Sequence, residues 1–192
     1  DLVTAYLGQR GIVPSRTTSH MVLFLFSMGV TKGKWGTLIN TMLDFKRDYD
    51  ANTPLADAMP RVLAGAPARY AGMGVKDLGD AMWAELRASR MGHWEAAAYA
   101  QLPVPECTPR AAFQKMMAGE VELVGLDDLA HRVVTVGVIP YPPGIPIVMP
   151  GENIGAANGA WISYMRVLQN WAHKFPGFAK EVEGTIEHDG VY

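Results

Sequence analysis

Cysteine is nearly absent: Cys107 stands alone among 192 residues. That excludes an internal disulfide framework and a CxxC metal site, and it favours a cytoplasmic setting. An excess of charge of either sign is missing as well. Seventeen Lys and Arg against nineteen Asp and Glu leave a net charge of −2. With no basic block, a nucleic-acid footprint is not expected. Long apolar runs are lacking too. The longest, Met21–Val30, has ten residues and includes Ser27 and Gly29, whereas spanning a bilayer takes ~20. It therefore predicts a buried strand and no membrane anchor. No signal peptide is legible. The histidines at 20, 93, 131, 173 and 188 form no HxH, HxxxH or HExxH pattern, so no metal site is expected. Gly72-Met-Gly74 does not match a dinucleotide fingerprint, and no Walker A pattern exists.

What is present is a globular composition, 49% hydrophobic and 19% charged. This length and apolar content predict one domain or two small ones. Eleven methionines point to adaptable packing. The first residue is Asp1 and not Met, which predicts a piece of something longer.

Local signals order the chain. Leu2–Arg10 reads as a helix stopped by Gly11. Residues 12–18 read as extended, with Pro14 arguing for an edge. Met21–Phe26 reads as a strand covered on both faces. Thr31 caps a helix reaching Tyr49, with Trp35, Leu38, Ile39, Met42 and Tyr49 on one face. The run Asp44–Asp50 is expected on that helix's outer face. Thr53-Pro54 predicts a cap and first-turn proline for a helix carrying Leu55, Met59, Val62 and Leu63, broken at Gly65-Ala-Pro. Helices follow over 75–90 and 94–102, then an extended Pro-rich connection. Thr108-Pro109 opens a helix over 110–118. Short strands are expected at 121–124, 133–139 and 147–149, with a helical turn at 127–130. A long helix spans 157–173, ended by Pro176-Gly177, and a strand enters a turn over 185–192.

The densest local signal is Pro140–Glu152, with five prolines and two glycines in thirteen residues. Such a segment fixes the backbone at low ordering cost. Its functional reading presents Tyr141 or Glu152 to a cleft; its structural reading is a stiff β-connection whose tyrosine packs. Asp127, Asp128 and His131 lie within one turn and read as a solvated cluster. Cys107 lacks an adjacent base and reads as an inert thiol. The glycine-rich stretch Gly151–Gly159, ahead of a helix, has the form of an anion cradle, but nothing basic accompanies it.

The segment Pro140–Glu152 resembles the C-terminal signature of the large bacterial pyridoxal-phosphate (PLP) decarboxylases of ornithine, lysine and arginine. Gly11-Ile-Val, then Val22-Leu-Phe-Leu-Phe-Ser-Met-Gly, then Asp44-Phe-Lys-Arg are similar to the end of their aminotransferase-like small domain. Thr31-Lys-Gly-Lys-Trp looks more like the inducible arginine-type members. Thr108-Pro-Arg-Ala-Ala-Phe-Gln-Lys, Gly119-Glu-Val-Glu and Pro176-Gly-Phe fall in family order, so the resemblance covers nearly the whole chain.

The resemblance implies an α+β chain: residues 1–52 end an aminotransferase-like, fold-type I small domain, and 53–192 form a helical and mixed-strand C-terminal domain. It implies removal of the α-carboxylate from a basic amino acid, arginine favoured, with PLP as electron sink. It implies homodimers, associating into larger rings, around a small-molecule amino acid substrate. The family's Schiff-base lysine lies in a Ser-x-His-Lys segment upstream. His173-Lys174 is the one His-Lys pair here, and Trp171 stands where the serine belongs, so no catalytic or cofactor-binding residue is expected in this chain. Two positions match family sites for substrate. Ser15 stands where the family usually has a glutamate for the substrate's distal cation; Tyr141 matches a tyrosine at the active-site entrance. Arg16 and Glu152 match family positions of undefined role. A neutral Ser15 cannot supply a charge-assisted contact, worth ~1.5–3 kcal/mol. The other reading is a non-catalytic oligomerisation or regulatory module of the same fold.

Overall fold

The computed structural model describes residues 1–141 and 143–186. They form two compact units. One comprises Asp1–Ala88 with Phe175–Phe178, the other Ser89–Lys174 with the residues from Ala179 onward.

The N-terminal unit opens with α1 (Leu2–Gly8), which buries Leu2, Tyr6 and Leu7. Gly11 then reverses the chain at φ +77°, a conformation that costs glycine little. β1 (Arg16–Thr17) and β2 (Val22–Leu23) pair antiparallel, Arg16 opposite Leu23. α2 (Lys32–Asp50) has Thr31 at its N-cap, although no cap hydrogen bond forms. Three short helices follow: α3 (Leu55–Ala58), α4 (Pro60–Gly65) and α5 (Pro67–Tyr70). α6 (Val75–Ala88) then buries Val75, Leu78 and Met82.

Three sequence expectations are corrected in this unit. The run Met21–Phe26 is not a strand covered on both faces: only Val22–Leu23 pair, and Met21, Leu23, Leu25 and Phe26 are exposed. A continuous apolar run calls for cover on both sides, and a two-residue ladder offers none. The helix α2 forms as expected, with Trp35, Ile39 and Met42 exposed. Thr53 does not cap the next helix; Pro54 occupies that position. The expected single helix is split at Met59, because Pro60 drives the preceding residue out of the helical region and starts α4 as its first residue.

The C-terminal unit is built on two helices, α7 (Met91–Ala100) and α9 (Ala160–Lys174). α9 buries Trp161, Ile162, Tyr164, Met165, Leu168 and Trp171. The Trp161 indole N–H donates to the Ala98 carbonyl of α7 at 2.8 Å. Gly177 takes φ +85°, the residue after Pro176 in the stop expected for α9. Between these helices run β3 (Val104–Pro105), α8 (Pro109–Met117), a 3-10 turn (Leu126–Asp128), β4 (Ile139–Tyr141) and β5 (Glu152–Asn153). β6 (Glu181–Glu183) follows α9. β3 pairs with β5 and β4 with β6, both antiparallel. The cap at α8 forms as expected, with Thr108 Oγ1 accepting from the Ala111 N–H at 3.2 Å.

Regular strand is scarcer here than the sequence suggests. Residues 121–124 form no strand. Expected strands at 133–139 and 147–149 reduce to single bridges, Val133 with Asn153 and Val138 with Val148, before β4 begins at Ile139. Gly137 interrupts the first run, and its carbonyl lies so close to Gly184 that a Cβ there would overlap it. Among the described residues the last strand is Glu181–Glu183; of the strand expected at 185–192, Thr185 and Ile186 are not in strand and residues 187–192 lie outside the described residues, as does Pro142. The fold class is α+β.

Candidate functional site

Ser15 and Tyr141 fall in different units, and each is fixed by backbone pairing. The Ser15 N–H donates to the Leu23 carbonyl at 2.8 Å, extending the β1–β2 ladder by one residue. Its side chain is exposed, as is that of Arg16. The hydroxyl is thereby offered to solvent from a hairpin edge.

Tyr141 ends β4 opposite Glu181 and is 50% exposed. The turn after it closes through the Gly144 N–H donating to the Pro140 carbonyl at 2.9 Å. Gly144 sits at φ +78° under the Tyr141 ring, where a Cβ would lie 2.6 Å from a ring carbon. Glycine is thus required twice over, by its φ and by the ring. Glu152 is committed locally: its Oε2 accepts from the Met149 N–H at 2.7 Å. Neither Tyr141 nor Glu152 lines the cavity of about 1120 Å³ in this unit that is walled by Val121, Leu123, Leu126, Val134, Val136 and Met165.

The remaining motifs resolve into structure. Gly155 and Gly159 spend their amides on Asn153 Oδ1 and the Ala156 carbonyl, both at 2.8 Å, so the stretch before α9 is a pair of turns and not an open cradle. Cys107 is a free thiol whose backbone N–H donates to the Gly151 carbonyl at 3.1 Å. Asp127 accepts from Arg166 at 2.8 Å. Among the described residues, no three His, Cys, Asp or Glu side chains converge as metal ligands.

Two features escaped the sequence. Asp48, expected on an outer face, is partly buried at the heart of the N-terminal unit. It accepts from the Tyr6 hydroxyl at 2.6 Å and from Thr53 Oγ1 at 3.1 Å. The Arg10 guanidinium lies 3.4 Å from the Tyr6 ring centre. Burial first, and then the Asp48 hydrogen bond, push the Tyr6 phenol up to about 12. The second feature is Lys180, only 7% exposed. Desolvation pulls its ammonium down to about 8, against the charge of Glu95, which raises it. No periodicity marks a lysine for burial, because its neighbours in space come from a distant helix.

His173-Lys174 sits at the C-terminal end of α9, and Trp171, in the serine position, is buried in the core. That pair closes an amphipathic helix and lacks the hydroxyl partner of the family segment. No helix among the described residues is long and apolar enough to cross a membrane.

Comparison with known proteins accounts for this arrangement. Residues 93–192 match the family described as Orn/Lys/Arg decarboxylase, C-terminal domain. The chain is 54% identical over its whole length to the biodegradative arginine decarboxylase of Escherichia coli, of which it covers 25%. It is 41% identical over 98% of its length to a lysine decarboxylase of Pseudomonas aeruginosa, again covering 25% of that protein. Superposed on the constitutive lysine decarboxylase of E. coli, it gives a TM-score of 0.93 at 34% identity, covering all of this chain and 27% of that one. The chain thus spans about a quarter of the length of the relatives it matches. It belongs to the Orn/Lys/Arg decarboxylase family, whose C-terminal domain it carries.

Proposed function

We propose that this chain is the C-terminal segment of a PLP-dependent decarboxylase of a basic amino acid, arginine before lysine or ornithine, releasing carbon dioxide and a polyamine or diamine. The observation that carries the reading is 54% identity to an arginine decarboxylase across the whole chain, against 41% and 34% to two lysine decarboxylases. PLP, when bound, supplies the electron sink; its lysine and phosphate-binding residues belong to other parts of the polypeptide. Residues 1–52 complete the aminotransferase-like small domain, and 53–192 form the decarboxylase C-terminal domain. The enzyme is cytoplasmic and works as a homodimer or a larger ring.

Within that enzyme the chain's own residues act on access and fit. Ser15 presents a neutral hydroxyl from a fixed hairpin edge toward the substrate's distal group, and Tyr141 walls the entrance. The exposed apolar surface of Met21, Leu23, Leu25 and Phe26 with Trp35 and Ile39 of α2 is covered by other parts of the same polypeptide. The test is carbon dioxide release by the PLP-loaded full-length protein given arginine, lysine or ornithine. Release from arginine at the highest kcat/KM supports the reading. PLP binding with no release from any of the three assigns the chain to the non-catalytic module instead.

A further inference from the structure

The β1–β2 hairpin that carries Ser15 has no core of its own. Its ladder is two residues long, and Met21, Leu23, Leu25 and Phe26, in and around it, are exposed. A two-stranded ribbon of this kind does not hold its place in water unaided. Whatever ties it to the helices of its unit therefore decides where Ser15 stands. Within itself the hairpin is braced. The Thr18 N–H donates to the Met21 carbonyl at 2.8 Å, and the Met21 N–H donates to Thr18 Oγ1 at 3.1 Å. A hold on the turn is thus passed along the ladder to the Ser15 N–H, which donates to the Leu23 carbonyl at 2.8 Å.

Two helices of the same unit take hold of it. On α1, Thr4 Oγ1 lies 2.8 Å from Thr17 Oγ1, a partly buried hydroxyl pair two residues from Ser15. On α6, the Trp83 ring meets the ring of His20, in the turn, edge to face. The ring centres are 5.9 Å apart and the planes stand at 82°. Such ring contacts add stabilisation beyond the area they bury. Trp83 is 54% exposed, while Val75, Leu78 and Met82 carry the packing of α6. The indole is therefore spare to the core of its own helix.

We propose that Trp83 and Thr4 are positioning residues: they hold the β1–β2 hairpin against α6 and α1 and so set the reach of Ser15 toward the substrate's distal group, a role that rests on the reading of Ser15 as facing that group. Both act through the hairpin. The distal group of a basic amino acid lies away from the carboxylate that leaves, so its contacts serve ground state and transition state alike. Loosening the hairpin therefore raises KM and leaves kcat unchanged.

Amide hydrogen exchange and steady-state kinetics on the PLP-loaded full-length protein test this together. Trp83→Ala and the isosteric Thr4→Val are each expected to speed exchange over residues 15–23 about fivefold, while α8 peptides stay unchanged. Trp83→Phe, which keeps a ring for His20 to meet, restores most of the protection. For the kinetics, Ser15→Glu supplies the larger lever, with KM for a cationic amino acid expected about tenfold lower. Trp83→Ala on that background is expected to raise KM again about threefold with kcat unchanged, and Trp83→Phe to leave it low. Exchange equal to that of the unaltered protein in both Trp83→Ala and Thr4→Val overturns the ties. Faster exchange with the low KM of Ser15→Glu intact in the Trp83→Ala background overturns the positioning role. If exchange speeds as expected and Ser15→Glu leaves KM unchanged, the hairpin ties stand and the reading of Ser15 falls.

Discussion

Asp48 is the residue on which the N-terminal unit turns. A buried Tyr6 hydroxyl without an acceptor is costly, and Asp48 removes that cost while also holding Thr53. Asp48→Ala is expected to destabilise the protein by about 1–3 kcal/mol, read as a lower urea midpoint; a midpoint unchanged within error contradicts this role. The sequence could not disclose it. Asp44, Lys46, Arg47 and Asp50 on the same helix do form exposed pairs, so the charged residues of the run form a solvated face with one inward carboxylate. Which member turns inward depends on Tyr6, 42 residues away. Ser15 carries the second prediction at this scale. Ser15→Glu is expected to lower the KM of the full-length enzyme for a cationic amino acid by about tenfold, the equivalent of ~1.4 kcal/mol. An unchanged KM removes Ser15 from the substrate's distal end.

At the scale of elements, helices were legible where their ends carry local chemistry. Thr108-Pro109, Gly11 and Pro176-Gly177 did what their conformational preferences dictate. The start of α6 is capped by a residue from elsewhere: Asn52 Oδ1 accepts from the N–H groups of Lys76 and Asp77 at 3.0 and 3.1 Å. Asp77 Oδ2 in turn accepts from the Gly74 N–H at 2.9 Å, and a side-chain hydrogen bond from Asn52, followed by this one, holds its carboxyl below the usual range. A Cβ on Gly74 would overlap Asn52. Gly74→Ala is therefore expected to cost about 1–3 kcal/mol and Asn52→Ala about 1 kcal/mol, measured by thermal denaturation. If the two losses add fully in the double variant, the lock between them is refuted. Strands were read too long. Apolar runs at 121–124 and 133–139 predict strand by composition, but a strand also needs a partner in register, and Gly137 and the turn at Gly151 leave room for single bridges only.

At the scale of the molecule, two observations agree. The chain covers about a quarter of its relatives, and its N-terminal unit leaves the apolar residues Met21, Leu23, Leu25 and Phe26 and, on α2, Trp35, Ile39 and Met42 exposed. Both fit a segment that ends one domain and builds another within a larger enzyme. The family was legible because its motifs are backbone devices, prolines and glycines that fix turns whatever surrounds them. The central claim is that the full-length protein decarboxylates a basic amino acid with arginine preferred. Steady-state carbon dioxide release from arginine, lysine and ornithine by the PLP-loaded full-length protein tests it most directly. The account predicts release with the highest kcat/KM for arginine; bound PLP with no release from any of the three would contradict it.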